Sequence, residues 1–139
     1  MGIISKHKNM IKLYYSSNSS IGKQTLAYVT TSKKEILAID LSKTKLTGTQ
    51  WMEITEALNT SLSSLVNQNH PDFTKNYGEK EIHLSNEDWI KVLNKNPEVL
   101  KGSILMVNNS FYLLETPTAF IKHFEPDTAG LNPQKPNEN

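Results

Sequence analysis

The chain of 139 residues contains no cysteine. That absence removes disulfides, thiolate nucleophiles, iron–sulfur clusters and thiolate zinc sites together. It leaves the compartment open, since a cysteine-free protein tolerates either redox environment. A surplus of one charge is missing too. Fifteen basic against 14 acidic residues give a formal net charge of +1, so no global field favours nucleic acid or an anionic membrane surface. No apolar run reaches membrane-spanning length. The opening "MGIISKHKNM" is too weakly apolar for a secretory signal, and Lys6 stands where myristoylation wants Ser or Thr. The default compartment is therefore the cytoplasm. The histidines, His7, His70, His83 and His123, lack HxxxH or HExxH spacing, so they read as loop or surface residues, and no metal or cofactor is expected. Asp40 ends a strand without the glycine-rich turn of a dinucleotide site.

What is present reads as one domain. Residues 1–10 form a leader, with Met10 directly before the first strand and itself a candidate start. "IKLYY", Ile11–Tyr15, is β-rich. Ser16–Ser20 make a turn, and "IGKQTLAYV" has helical spacing, with Ile21, Thr25 and Val29 near one face. Ser19 or Ser20 caps that helix, and Gly22 weakens it slightly. "KKEILAIDL", Lys33–Leu41, reads as a second strand. A helical middle follows. Thr47–Asn59 carries a Trp51, Ile54, Leu58 stripe, and Thr60–Asn67 is a short second helix. Residues 68–83, with Pro71 and Gly78, read as loop. Ser85 opens a further helix with Asp88 three residues on, Trp89, Val92 and Leu93 as its stripe, and Pro97 as its end. "SILMV" and "FYLLE" flank "NNS" as a 103–107/111–115 hairpin. "TPTAFIKHF" closes the domain as a helix, with Thr116 as N-cap and Pro117 at its first position. The polar, proline-rich tail 125–139 is expected to be disordered and dispensable.

The order β-α-β, helices, β-β-α describes an α/β, thioredoxin-like mixed sheet with a helical insertion after the second strand, spanning 11–124. The frame "LYYSSNSSIGKQTL" and the junction "NNSFYLLETPTAF" resemble the glutaredoxin-type arsenate reductases and their relatives, the Spx-like transcription regulators. In that family a strand leads to a reactive cysteine, a helix follows, a basic residue lies four positions on, and Thr-Leu comes after. Ser19 falls at the cysteine, Lys23 at the basic residue and Thr25-Leu26 at the pair. The resemblance implies a cysteine that attacks arsenate and three arginines that hold the oxyanion. Those arginine positions fall on Asn67, Ser103 and Thr116, and the proline after the second falls on Ile104. The CxxC of the regulators falls on Ser19 and Gly22.

Three readings follow. A hydroxyl is a poor nucleophile without a base, and serine forms no disulfide. Hence the chain is expected to be a redox-inactive, non-enzymatic relative, a protein-interaction or regulatory module for an unidentified protein partner, without direct nucleic-acid or membrane binding. One alternative is an arsenate-reductase-type oxidoreductase with an unseen mechanism. The other is a weak oxyanion-binding protein using Ser19, Ser20 and Lys23 at a helix N-terminus. Trp51 and Trp89 are expected in the core, exposure of either marking an interface. Lys33, Lys34, Lys43 and Lys45 read as a solvated basic face.

Overall fold

The structure, a computed structural model, describes residues 11–32 and 35–121. The expected leader, the tail and Lys33–Lys34 lie outside the described residues. Four strands form one sheet in the order β2-β1-β3-β4. β1 (Ile11–Tyr15) pairs in parallel with β2 (Leu37–Asp40). On its other side it pairs antiparallel with β3 (Ser103–Val107), Ile11 opposite Val107. β3 and β4 (Ser110–Leu114) form a hairpin. The expected mixed sheet is present. Two boundaries differ from the sequence reading. β2 is four residues long, not nine, with Leu37 and Ala38 exposed, so apolar character there does not mean sheet burial. The hairpin begins its second strand at Ser110, one residue early, because Asn108 takes a left-handed φ of 57° and two residues complete the turn.

The β1-to-β2 crossover is α1 (Ser20–Thr31), which buries Gly22, Thr25 and Val29. Gly22, not Ile21, shares the inward face with Thr25 and Val29. α2 (Gly48–Leu58) starts with a full capping box: Gln50 N–H donates to Thr47 Oγ1 and Thr47 N–H to Gln50 Oε1. Asn59 ends it in the left-handed region. The short α3 (Leu62–Leu65) follows. Residues 68–83 are not all loop. Pro71–Tyr77 form α4, with Pro71 at the first position and His70 as the cap. Phe73 anchors it, stacked on Trp89 with ring centroids 5.9 Å apart. α5 (Asn86–Lys95) starts at the Ser85 cap and buries Trp89, Val92 and Leu93.

After β4 the chain makes a 3-10 turn, Pro117–Phe120, with Pro117 at its start, and Ile121 continues it in α-helical conformation; the rest of the expected closing helix lies outside the described residues. Thr116 precedes the turn without a side-chain capping bond.

The sheet separates two apolar clusters. The larger lies against the helical insertion and joins Tyr14, Trp51, Ile54, Leu65, Phe73, Trp89, Leu93 and Ile104 among others. Both tryptophans are buried in it, at 1% and 3% exposure, so neither marks an interface. The smaller lies under α1 and the 3-10 turn, with Leu13, Val29, Leu105, Leu114 and Phe120.

Candidate functional site at the start of the first helix

The loop from β1 to α1 is held almost wholly by polar groups. Ser16 is buried, and its carbonyl accepts from Ser19 N–H at 3.1 Å. Its hydroxyl accepts from Asn18 N–H at 3.2 Å and lies 3.0 Å from Ser42 Oγ. Asp40, at the end of β2, accepts through one oxygen from Ser17 N–H at 3.0 Å and Ser42 N–H at 2.9 Å. Partial burial raises the Asp40 pKa, but hydrogen bonds from Ser17 and Ser42 outweigh it, and the carboxyl sits below its ordinary value. Burial, and secondarily the charge of Asp40, pushes the Tyr15 phenol up.

Ser19 is the helix cap: its hydroxyl accepts from Gly22 N–H at 3.1 Å. Ser20 instead accepts from the Gln24 side-chain amide. Gly22 packs its α-carbon on the Ser16 backbone, and a β-carbon there collides with the Ser16 carbonyl. The glycine that a sequence reading counts as a weak helix former is required by this close approach. It also blocks a cysteine at the second position of a CxxC without a backbone shift.

Above the cap lies an open cleft of ≈ 180 Å³, lined by Ser19, Ser20, Asn67, His70, Glu98 and Lys101 among others. The fold thus brings Ser19, Ser20 and Asn67 together. It leaves out the other residues singled out from the sequence. Ser103 is fully buried at the start of β3, its hydroxyl unpartnered. Thr116 is exposed beyond β4, and Lys23 is exposed on α1 outside the cleft lining.

Three lining residues carry charge or a titratable ring that sequence reading did not assign. Lys101 and Glu98 come from the segment that bridges back to Val66, where Asn67 N–H donates to Val99 O and Lys101 N–H to Leu65 O. His70 comes from the α4 cap. Only the helix missed in 68–83 and a contact between residues 34 positions apart bring them here, and neither leaves a local motif.

Most of these groups are already engaged. Asn67 Oδ1 accepts from Asn69 N–H, and Glu98 accepts from the Asn96 amide. His70 Nδ1 accepts from Asp72 N–H at 3.0 Å, so the neutral ring carries its proton on Nε2 and presents a donor rather than a base. Among the described residues no group of three His, Asp or Glu side chains is placed to hold a metal ion, and no helix is long and apolar enough to cross a membrane.

No protein-family model matches the sequence, and no curated protein does. Solved structures do match. An arsenate reductase from Vibrio cholerae aligns with a TM-score of 0.66 at 14% identity, over 83% of this chain and 98% of its own. An arsenate reductase-related protein from Brucella melitensis gives 0.59 at 13%, over 84% and 95%. The chain therefore has the thioredoxin-like fold of the arsenate reductase structures, carried by a sequence without a single cysteine.

Proposed function

We propose that this protein is a redox-inactive, arsenate-reductase-like module that works in the cytoplasm by binding another protein, in an interaction or regulatory role. The observation that carries the reading is the use of Ser19. Its hydroxyl is the N-cap of α1, in a chain that has no sulfur nucleophile. Thiol-coupled turnover needs a sulfur that can form and release a disulfide. Serine catalysis needs a base, and the histidine of the cleft already uses its Nδ1 to accept from Asp72 N–H. The interaction half is supported by β2, an edge strand whose Leu37 is 57% exposed. An exposed edge offers backbone hydrogen bonds to an added strand.

The test is an arsenate reduction assay with glutathione and glutaredoxin, on wild type and Ser19→Cys. Neither is expected to turn over. The thiol introduced by Ser19→Cys should acquire a depressed pKa at the helix N-terminus. Yet Asn67, Ser103 and Thr116 supply no charge to an oxyanion, and Lys101 shares the cleft lining with the carboxylate of Glu98. Turnover by wild type overturns the non-enzymatic reading. Turnover by Ser19→Cys alone leaves it standing and removes the weight given to the arginines.

A second reading is weak oxyanion binding in the same cleft, favoured by Lys101, the His70 Nε2 donor and the α1 N-terminus together. Titration with phosphate, sulfate and arsenate, followed by the amides of Ser19–Lys23, separates the two. Saturable shifts support the second reading, and unmoved amides leave the first.

A further inference from the structure

At the end of β1 away from Ser19, the sheet has an uncovered row on the side of the helical insertion. Alternate residues of a strand share one face. On this face Ile39, Tyr14, Ile104 and Leu113 form one row across all four strands, packed into the larger cluster. The neighbouring row is Leu37, Lys12, Met106 and Phe111. The insertion leaves it open: Leu37 is 57% exposed, and Lys12, Met106 and Phe111 are half-buried. A groove of ≈ 410 Å³ lies here between α2 and the β3–β4 hairpin. It is lined by Met106, Phe111 and Ala57, with Glu53 and Glu56 of α2 one helical turn apart. Lys12 lies one strand beyond Met106, outside the groove lining.

We propose that this face is a contact between two copies of the chain, related by a two-fold axis that lies in the contact plane along β3, over Met106. Three observations select a second copy as the occupant. The first is charge. The face carries both signs, Lys12 against Glu53 and Glu56, and among the described residues none of the three makes an ion pair. The second is order. Met106 stands between Lys12 and Phe111, each one strand away, about 4.8 Å. An axis over Met106 exchanges those two positions. Lys12 of each copy then comes over Phe111 of the other, beside Glu53 and Glu56. A phenyl face flanked by carboxylates suits an ammonium on both counts. The third is the apolar part. Met106 of one copy packs on Met106 of the other, and Phe111 and Ala57 leave water in the same contact. An isologous contact needs a surface complementary to itself, and this face is complementary in both charge and order.

The proposal concerns a different surface from the cleft above Ser19 and does not depend on redox activity. It stands whether or not the protein also binds another.

Sedimentation of the full chain over a range of concentrations tests it. A dimer that forms as concentration rises and weakens with salt is expected. Lys12→Glu, and separately Glu53→Lys with Glu56→Lys, should each weaken self-association roughly ten-fold or more, because like charges then meet across the axis. An equimolar mixture of the two variants should recover a one-to-one dimer, since the charges complement again. A nitroxide read from the other copy covers the case in which a charge variant fails to fold. The protein has no cysteine, so Asn109→Cys, exposed on the groove lining, gives one labelling site. Mixed with isotope-labelled wild type, the labelled chain should broaden the amides of Lys12, Met106 and Phe111 and leave Val29 and Ala119, in the smaller cluster, sharper. A chain that stays monomeric at millimolar concentration overturns the proposal. So does a dimer whose broadening falls on Val29 and Ala119. Folded charge variants that associate as the wild type does, or whose mixture recovers nothing, overturn it too. A monomer that binds a lysine-rich apolar peptide in the groove also overturns it, and assigns the face to a different protein.

Discussion

The β1–α1 loop and the helical insertion hold their shapes by opposite means. The loop has a buried serine, a carboxylate that accepts two backbone bonds, and one glycine in contact with a carbonyl. The insertion has Trp51, Phe73 and Trp89 packed with leucines and valines. Apolar packing averages over many contacts, so it tolerates drift in any one of them. A polar loop is set by a few discrete bonds, and each is needed. None of those bonds requires sulfur. That is why the loop keeps a thioredoxin-like strand-to-helix turn in a chain without cysteine.

The sharpest contrast comes from Trp51 in the insertion. Its ring is 1% exposed, and its indole N–H donates to Asn94 Oδ1 at 2.9 Å, while the Asn94 amide holds Leu46 O. Trp51→Ala is expected to cost about 3–5 kcal/mol, a large share of what a small domain has. Trp51→Phe should cost less, because it keeps most of the packing and loses the hydrogen bond. Denaturant midpoints at constant slope measure both. If Trp51→Ala costs no more than the loop variants below, the distinction between the two regions fails.

Gly22 is the corresponding point in the loop. Alanine there drives a β-carbon into the backbone of Ser16, a residue held at its carbonyl by Ser19 N–H and at its hydroxyl by Asn18 N–H and Ser42 Oγ. Ordinarily alanine strengthens a helix over glycine by about 0.8–1 kcal/mol. Here the sign should reverse, with a loss of roughly 1–3 kcal/mol from overpacking. Gln24→Ala, exposed on the same helix, is the control. A stabilised Gly22→Ala variant would show that the close approach is easily relaxed.

These two regions also differ in how much of them a sequence can show. The Trp51 stripe and the Ser85 cap are periodic and local, so both were legible. The helix Pro71–Tyr77 was not. It has seven residues and one fully buried anchor, Phe73, whose partner Trp89 comes from another helix. Its local signals are short: Pro71 at the first position, Asp72 in the first turn, Lys75 in the last and Gly78 at the C-cap. The same gap hid the cleft. The family resemblance named Ser19 and Asn67, and both line the cleft. His70, Glu98 and Lys101 reach them through that helix and through the Val66–Leu100 bridge.

The Asp40 carboxylate gives the loop a pH dependence on the acid side. Its pKa in the folded protein is below the ordinary 3.8. A depressed carboxyl contributes stability above the unfolded value and loses it as pH falls through the folded one. The loop should therefore weaken progressively below about pH 4. Asp40→Asn keeps an acceptor oxygen but not the charge. It should cost about 1–2 kcal/mol at neutral pH, since hydrogen bonds to a charged acceptor exceed neutral ones by that order. It should also flatten the acid limb of the stability curve. An unchanged acid limb in the variant would assign the loss to other carboxylates.

The smallest expected effect belongs to Ser19, the cap of α1. Ser19 Oγ accepts from Gly22 N–H, and Ser19 is partly exposed. Ser19→Ala should cost about 1 kcal/mol, the usual scale for losing an N-cap acceptor. Ser19→Asp should recover that loss or exceed it, because aspartate caps as well as serine and its charge suits the helix N-terminus. The pair separates a structural role from a chemical one. A nucleophilic serine is destroyed equally by both substitutions, so any activity that depends on it would vanish in both. A cap is lost in one and restored in the other, and a partner that recognises only the folded surface would keep binding Ser19→Asp as it binds the wild type. Binding lost in Ser19→Asp while its stability is recovered would mean that the hydroxyl itself is read by the partner, and the loop would then be a recognition site rather than a scaffold.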